Sequence, residues 1–544
     1  MGGRDVLCIA LLLVAVGLLG ALGITQGGLG WSDAPQHTFD GVFVLELLRA
    51  WPIHDLRSWA EQFYLRHPAL GIAVYWPPGF AVVEAAVFAL FGVSALTARA
   101  TVLLFAWGAA VLMYVLGKRL FDRPTGLLAA LLLLSCPHGV LWMNDVMLEW
   151  PATFWILAAV LAYQADRARP SIKWTVALAL TVVMAFLTKQ TAAFILPVLL
   201  VHALLSLDRR QYLLRPALIA SVLAAAIAIF AYWLLSRSYT ALPASLLRPS
   251  IDLLFYPRHL PEILGWPLLP IALLGLGTII IEPNRKARSL LLLWAAAWLA
   301  ISTAIWAKEP RYFFFALPPM MFAAVRFFLP SPPAMETERP ITLRFDAWRV
   351  ALLALLICAQ TGLALAKSPG RLPDYAPAVA RLVDLNADLV LVDAVRDGQF
   401  ALDAYCNAQA RDTLVPLRAS KLLYARAARE QYDYQQFVNT PEDIVALLDR
   451  YGIRFVLIES RLPRTPYLDA DPPPRQMLRR LLAEDARFRL IERWPVRCSD
   501  PAWDDVELLL YAYPTCPPRE TDSITISFPG MGREATLRLP RQTP

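Results

Sequence analysis

Charge is scarce in this chain. Of its 544 residues 17% are Asp, Glu, Lys or Arg, against about 25% in a soluble globular protein. Hydrophobic residues make up 57%, mean hydropathy is +0.48, and there are 17 Trp. The shortage of charge excludes a soluble globular fold and points to a polytopic membrane protein. Cysteine is scarce as well: six residues with no repeated short spacing exclude a disulfide scaffold and a Cys-rich zinc module, and suggest no catalytic thiol. There is no Gly-rich nucleotide cradle, no internal repeat, and no low-complexity tract beyond connectors such as Leu329-Pro330-Ser331-Pro332-Pro333 and Asp471-Pro472-Pro473-Pro474. The 51 Lys+Arg exceed the 44 Asp+Glu by a net +7. They sit in short loops between apolar runs, where cytoplasmic orientation demands them, so nucleic acid is not implied as a partner.

What is present is a series of apolar runs of about 17 to 25 residues, the length that satisfies its own backbone while crossing lipid. They lie near 6–24, 97–116, 124–141, 149–165, 174–187, 191–206, 216–235, 263–281, 289–306, 311–329 and 348–366. The first follows Arg4 and reads as an uncleaved anchor rather than a secretory signal. A further run at 77–93 is short, opens with Pro77-Pro78 and carries Glu84 in its middle. If it spanned, the basic connections at 118–123, 167–173, 209–215 and 285–288 would all fall outside, against the positive-inside rule. Laid along the outer interface or re-entrant, it puts them all inside with the N-terminus. The segments around Asp33, Asp145, Lys189 and Arg311, and everything after about residue 367, then share the outer side. The expected fold class is a polytopic α-helical membrane protein with about 11 transmembrane helices, residues 1–367, whose first outer loop is 25–96 with interfacial helices. A C-terminal α/β domain follows at 368–544, with strands near 388–393, 453–459, 488–494 and 506–513 and a helix at 442–451.

Four features carry candidate chemistry. The first outer loop reads Trp31-Ser32-Asp33-Ala34-Pro35-Gln36-His37-Thr38-Phe39-Asp40-Gly41. Asp33, a few residues past an apolar run, stands where a carboxylate can act as general base at the membrane surface. The competing role is a helix cap shared with Ser32. His37 and Asp40 come next, and a metal role for His37 is weaker still. The second feature is Trp142-Met143-Asn144-Asp145-Val146-Met147-Leu148-Glu149-Trp150-Pro151, where Asp145 and Glu149 share one face if helical. An acid at membrane depth is costly, roughly 2.5 to 3.5 kcal/mol at a helix centre, and marks function when it faces inward. Asp145 is the primary candidate of the two and Glu149 the secondary one. Third, Lys189 interrupts two apolar runs and Arg311-Tyr312 opens another; both cations suit a lipid phosphate, although snorkelling from a helix end is common. Fourth, Tyr75-Trp76-Pro77-Pro78 introduces the 77–93 run after His67-Pro68 and suits an interfacial aromatic belt, with sugar stacking as the functional alternative.

In this order the features resemble the glycosyltransferase C superfamily, with its lipid A aminoarabinose transferase and protein O-mannosyltransferase branches. The resemblance rests on Asp33 early in the first outer loop, Trp76-Pro77-Pro78, the Arg119-Leu120-Phe121 connection, Asp145, and Leu187-Thr188-Lys189. It covers about residues 1–330. It implies transfer of a sugar from a polyprenyl-phosphate donor to an extracytoplasmic acceptor, an envelope glycan, lipopolysaccharide or protein, at the outer face of a bacterial inner membrane. By it Asp33 activates the acceptor, Asp145 is a second active-site acid, and Lys189, Arg311 and Tyr312 lie near the donor phosphate. Many relatives carry an acidic pair in the first loop, whereas Ala34-Pro35 follows Asp33 here, so Asp33 and Asp40 both stay open as the base. The resemblance leaves room for a divalent cation without assigning a metal ligand. Cys498 and Cys516 could pair if the C-terminal domain faces an oxidising compartment, with Cys406 left over. The rival readings are a transporter or lipid flippase, which would show paired halves with matching interruptions, and a membrane scaffold, in which the loop acids would be dispensable.

Overall fold

A computed structural model describes all residues except 1, 25–26, 31–32, 68, 72–75, 207–208, 237–251, 305–307, 331–346, 367–374, 396, 426–433, 463–471, 497–502, 529–532 and 540–544. Chain contacts divide it into two compact units: Met1–Thr25, Tyr75–Phe80 and Arg99–Pro369 form the first, and Gln26–Val74, Ala81–Ala98 and Gly370–Pro544 the second. Most of the 25–96 segment, residues 26–74 and 81–98, is therefore grouped with the C-terminal residues from 370 onward.

The first unit is helical. Every apolar run anticipated there forms helix, but not every one is continuous. Five described helices are long and apolar enough to cross a membrane: Gly3–Gly20, Ala95–Leu120, Pro216–Ser236, Arg285–Ala304 and Trp348–Ala366. The count rises to seven if two bent pairs, Arg123–Ser135 with Pro137–Met143 (69°) and Phe255–Leu264 with Leu268–Ile280 (111°), are each one span. This is fewer than the eleven anticipated. The breaks fall at Pro137, which lacks an N–H and clashes with the preceding turn, and at Gly265 (φ +83°) followed by Pro267.

Polar contacts fix which ends of these helices lie together. Asp5 accepts from the Tyr114 hydroxyl (2.6 Å), Lys118 Nζ (2.8 Å) and Arg123 Nε (3.0 Å), while at the other end of the same helix a Cβ on Gly20 would meet Leu103 at 2.6 Å. Gly3–Gly20 and the Arg99–Leu120 part of Ala95–Leu120 thus run antiparallel. At the Asp5 end the basic connections meet: Asn284 Nδ2 donates to Leu120 O (2.9 Å), Arg215 pairs with Asp166 (2.9 Å), and Arg167 stacks over Tyr212 (4.9 Å). At the opposite end Asn144 Nδ2 donates to Leu19 O (3.1 Å). The basic clusters and the Asp145 turn occupy opposite ends of the unit.

The second unit is built on a five-stranded sheet of order β2-β1-β5-β7-β6, comprising β1 Leu389–Asp393, β2 Val415–Arg418, β5 Phe455–Glu459, β6 Arg489–Pro495 and β7 Glu507–Ala512. β1 pairs in parallel with β2 and β5, and β7 runs antiparallel to β5 and β6. Every residue of β1 and β5 is buried, as parallel strands covered on both faces require. Val390, Val392 and Leu457 pack under the Ala376–Asp384 and Asp397–Cys406 helices; Leu389, Leu391 and Val456 pack under Pro441–Tyr451 and Pro473–Glu484. Two two-stranded ribbons, β3 (Tyr424–Ala425) with β4 (Gln435–Gln436) and β8 (Ser523–Phe528) with β9 (Arg533–Arg538), complete the strands. β1, β5, β6, β7 and the 442–451 helix match the sequence expectation; β2 and the β8–β9 hairpin were not anticipated. Cys498 lies outside the described residues.

The carboxyl ends of β1 and β5, where chain crossovers diverge, are the usual ligand crevice of such sheets. Here Arg475 fills it, donating to Asp393 Oδ2 (2.7 Å) and lying 3.6 Å from Glu459, which also accepts from Tyr375 Oη (3.0 Å) and the Val395 N–H (3.0 Å). Burial lifts the Glu459 carboxyl from 4.5 to about 7, against the pull of Arg475 and those two donors. A carboxyl raised in the fold contributes its full stabilisation below its unfolded value and loses it as pH climbs through the folded one; the difference corresponds to about 3 kcal/mol. Raising the pH from about 5 to 8 is expected to lower the protection of β1 and β5 amides against hydrogen exchange, corrected for intrinsic rates, by up to that amount. Glu459→Gln is expected to flatten the dependence.

Candidate functional site

In the first unit, three segments far apart in sequence bring charged side chains together. Glu149 opens the Glu149–Ala168 helix, where a carboxylate complements the N-terminal dipole; Lys189 ends the Ile172–Thr188 helix, where a cation complements the C-terminal one. Lys189 Nζ donates to Glu149 Oε1 at 2.5 Å, and both side chains are buried, at 5% and 0% exposure. The same ammonium lies 5.3 Å from the Tyr312 ring and 5.5 Å from Phe315. Arg311, in the 3-10 segment Pro310–Ala316, pairs with Glu309 (2.5 Å) and lies 5.5 Å from the opposite neighbour of that arrangement, the Tyr312 ring. Lys189 and Arg311 therefore converge on one aromatic side chain. Glu149, secondary in the sequence reading, is the direct partner of Lys189.

The Trp76-Pro77-Pro78-Gly79 element explains why Lys189 is held so firmly. A Cβ on Gly79 would stand 2.7 Å from the Leu187 backbone and 3.0 Å from Thr188 N, so only glycine lets this turn close against the residues just before Lys189. Trp76 O accepts from the Tyr232 hydroxyl (3.3 Å), and Tyr75 lies outside the described residues.

Asp145 sits in a buried turn after the Pro137–Met143 helix rather than on a helix shared with Glu149; its Oδ1 accepts from the Val146 N–H at 2.9 Å. Its charge acts on Arg99, an arginine only 2% exposed in the Ala95–Leu120 helix. Sequence reasoning passed over Arg99. The available signal was a lone cation inside an apolar run, which requires an acidic partner or a route to water.

In the second unit, Asp33 precedes the Ala34–Ala50 helix, with Pro35 in its first turn. It occupies the cap position, yet its carboxylate makes no capping bond, its backbone carbonyl accepts from His37 N (2.9 Å), and it is half-buried. The cap role weighed against a base is therefore not where this side chain is spent. His37 and Asp40 are buried on the same helix. Asp40 Oδ1 accepts from the Gly71 N–H at 2.8 Å, tying two stretches of loop together. Beside it Glu84 lies flat on Gly41, where a Cβ would meet its carboxylate at 2.4 Å; burial and then the Asp40 charge hold Glu84 well above the usual carboxylate range. His67 stacks on Phe39 at 5.7 Å, and burial with Arg66 and Arg411 nearby lowers it to about 3, so it is a neutral packing group. Among the described residues no three His, Cys, Asp or Glu side chains gather in a set suited to a metal ion.

The comparisons with known proteins bear on this arrangement. A family model described as dolichyl-phosphate-mannose-protein mannosyltransferase matches residues 76–235. No curated protein matches. Among solved structures, ArnT from Cupriavidus metallidurans bound to undecaprenyl phosphate superposes with a TM-score of 0.62 at 14% identity over 95% of this chain and 99% of that one. The oligosaccharyltransferase AglB from Archaeoglobus fulgidus, in complex with an inhibitory peptide and a dolichol-phosphate, gives 0.53 at 13% identity over 84% and 69%. The arabinofuranosyltransferase AftD from Mycobacteria gives 0.54 at 14% identity over 96% and 40%. The chain shares its overall fold with these structures.

Proposed function

We propose that this chain, with its glycosyltransferase C fold, transfers a sugar from a polyprenyl-phosphate-linked donor to a hydroxyl of an extracytoplasmic acceptor, a cell-envelope glycan, a lipopolysaccharide component or a protein, in a bacterial inner membrane. The observation that supports it most is the convergence of Lys189 and Arg311 on Tyr312 beside Glu149. Lys189 and Arg311 are the side-chain types that engage phosphate oxygens, an ammonium as a point charge and a guanidinium as a fork. Asp33 takes the proton of the acceptor hydroxyl; the oxygen attacks the anomeric carbon, and the anomeric C–O bond to phosphate breaks with inversion. The electron pair leaves with polyprenyl phosphate, whose added negative charge Lys189 and Arg311 offset. Asp145, with Arg99, is the second acid, and Asp40 and His37 support the loop. The reading carries about 11 passes, with the bent helices among them, and the C-terminal domain outside.

Mass spectrometry of lipid co-purified with the full chain tests the donor class. A polyprenyl phosphate, bare or carrying a hexose or pentose, is expected; bulk phospholipid alone would remove the assignment. A transporter reading draws on the two bent helices, since broken helices expose backbone groups for passage of polar cargo. It predicts the same lipid crossing bilayers with its sugar still attached.

A further inference from the structure

The second unit assigns a task to the C-terminal domain. The Leu56–Arg66 helix of the first outer loop is built into that domain's own core: Leu65, 2% exposed, belongs to the cluster formed by Leu389, Leu391, Val456 and Leu478. Gln62 reads the edge of β9 as a strand would, its amide donating to Thr536 O (2.8 Å) and accepting from Arg538 N (3.1 Å). The Ala34–Ala50 helix is held by the Asp397–Cys406 helix, where Tyr405 donates to Glu46 Oε1 (2.7 Å) and packs edge-on against Phe39. At the other end of the Asp397–Cys406 helix a Cβ on Gly398 would touch Pro35 at 3.5 Å, and Gln399 Oε1 accepts from the Leu29 N–H at 3.0 Å. Gln399 is 1% exposed and is itself fixed by donating to Asp403 Oδ1 (2.8 Å), whose other oxygen accepts from Tyr375 N (3.0 Å).

We infer that the C-terminal domain is the positioning element of residues 26–74, with Gln399 the positioning residue that holds the chain ahead of Asp33 through the Leu29 N–H, while Gly398 beside it lets Pro35 pack close after Asp33. At the carboxyl ends of β1 and β5 the domain's own Arg475, Asp393 and Glu459 are paired with one another. The inference rests on Asp33 as the base only for its catalytic consequence; the clamp itself is a separate matter of contacts.

The test uses the full chain in lipid nanodiscs, with two readouts. One is hydrogen exchange at the Leu29 amide. The other is release of polyprenyl phosphate from the lipid-linked sugar fraction of the host membranes, with those membranes supplying acceptor. Gln399→Ala is expected to speed Leu29 exchange and to lower kcat by about tenfold to a hundredfold, with KM for the lipid donor unchanged. Gln399→Glu combined with Asp403→Asn keeps an acceptor for Leu29 and a donor at position 403, and is expected to restore both. Unchanged Leu29 exchange in Gln399→Ala, or faster exchange with kcat unaltered, overturns the inference, as does a fall in kcat that the double variant does not reverse. Should Asp33→Asn leave release intact, the base assignment fails, while the exchange readout still decides whether the clamp exists.

Discussion

Asp33→Asn is expected to lower sugar transfer by about 10²- to 10⁴-fold, the contribution of a positioned general base, with folded yield unchanged. The side chain is half-buried and makes no capping bond, so an isosteric amide removes basicity without removing a helix cap. Release of polyprenyl phosphate by the purified protein, with circular dichroism and monodispersity as folding controls, measures it. Asp40→Asn is the informative comparison, because asparagine keeps an oxygen for the Gly71 N–H and so keeps the loop tie. A larger loss at Asp40 than at Asp33 would move the base to Asp40; full activity in both variants would end the catalytic reading of this loop.

The second large effect is at the buried pair. Lys189→Met leaves Glu149 at 0% exposure without its direct partner, and breaking a buried pair from one side costs about 3–5 kcal/mol. Thermal unfolding of the variant should fall accordingly, and Glu149→Gln should show a similar loss from the other side. The double variant Lys189→Met with Glu149→Gln removes both charges, so most of the stability is expected to return. Transfer is not: the phosphate has lost a cation that no apolar side chain replaces. Return of transfer with stability would make the pair a purely structural device and remove Lys189 from the donor site.

The charged candidates were legible before folding was considered. Asp33, Asp145, Lys189 and Arg311 stand out in the sequence because a charge close to a long apolar run is expensive, and cost is readable in one dimension. Arg99 meets the same criterion but lies just inside the start of the 97–116 run and drew no reading from the sequence. Asp40 looked equivalent to Asp33 until Gly71 appeared as its partner, 31 residues away. β2 was missed because it has only four residues and contains Pro416, which weakens any strand pattern.

The amino-acid sequence by itself determined that the chain is a membrane protein, roughly where its apolar runs lie, and four of the five strands of the central sheet. These follow from hydropathy and periodicity, since a helix in lipid satisfies its backbone within its own segment and a buried strand shows as a short apolar run between turn signals. Only the tertiary structure decided that Pro137 and Gly265 bend two spans, that Lys189 pairs with Glu149, and that Gln399 reaches Leu29 across 370 residues. Such pairings depend on which chain segments the topology closes upon one another, and the cost of closing a loop grows so slowly with its length that sequence separation carries almost no information about them.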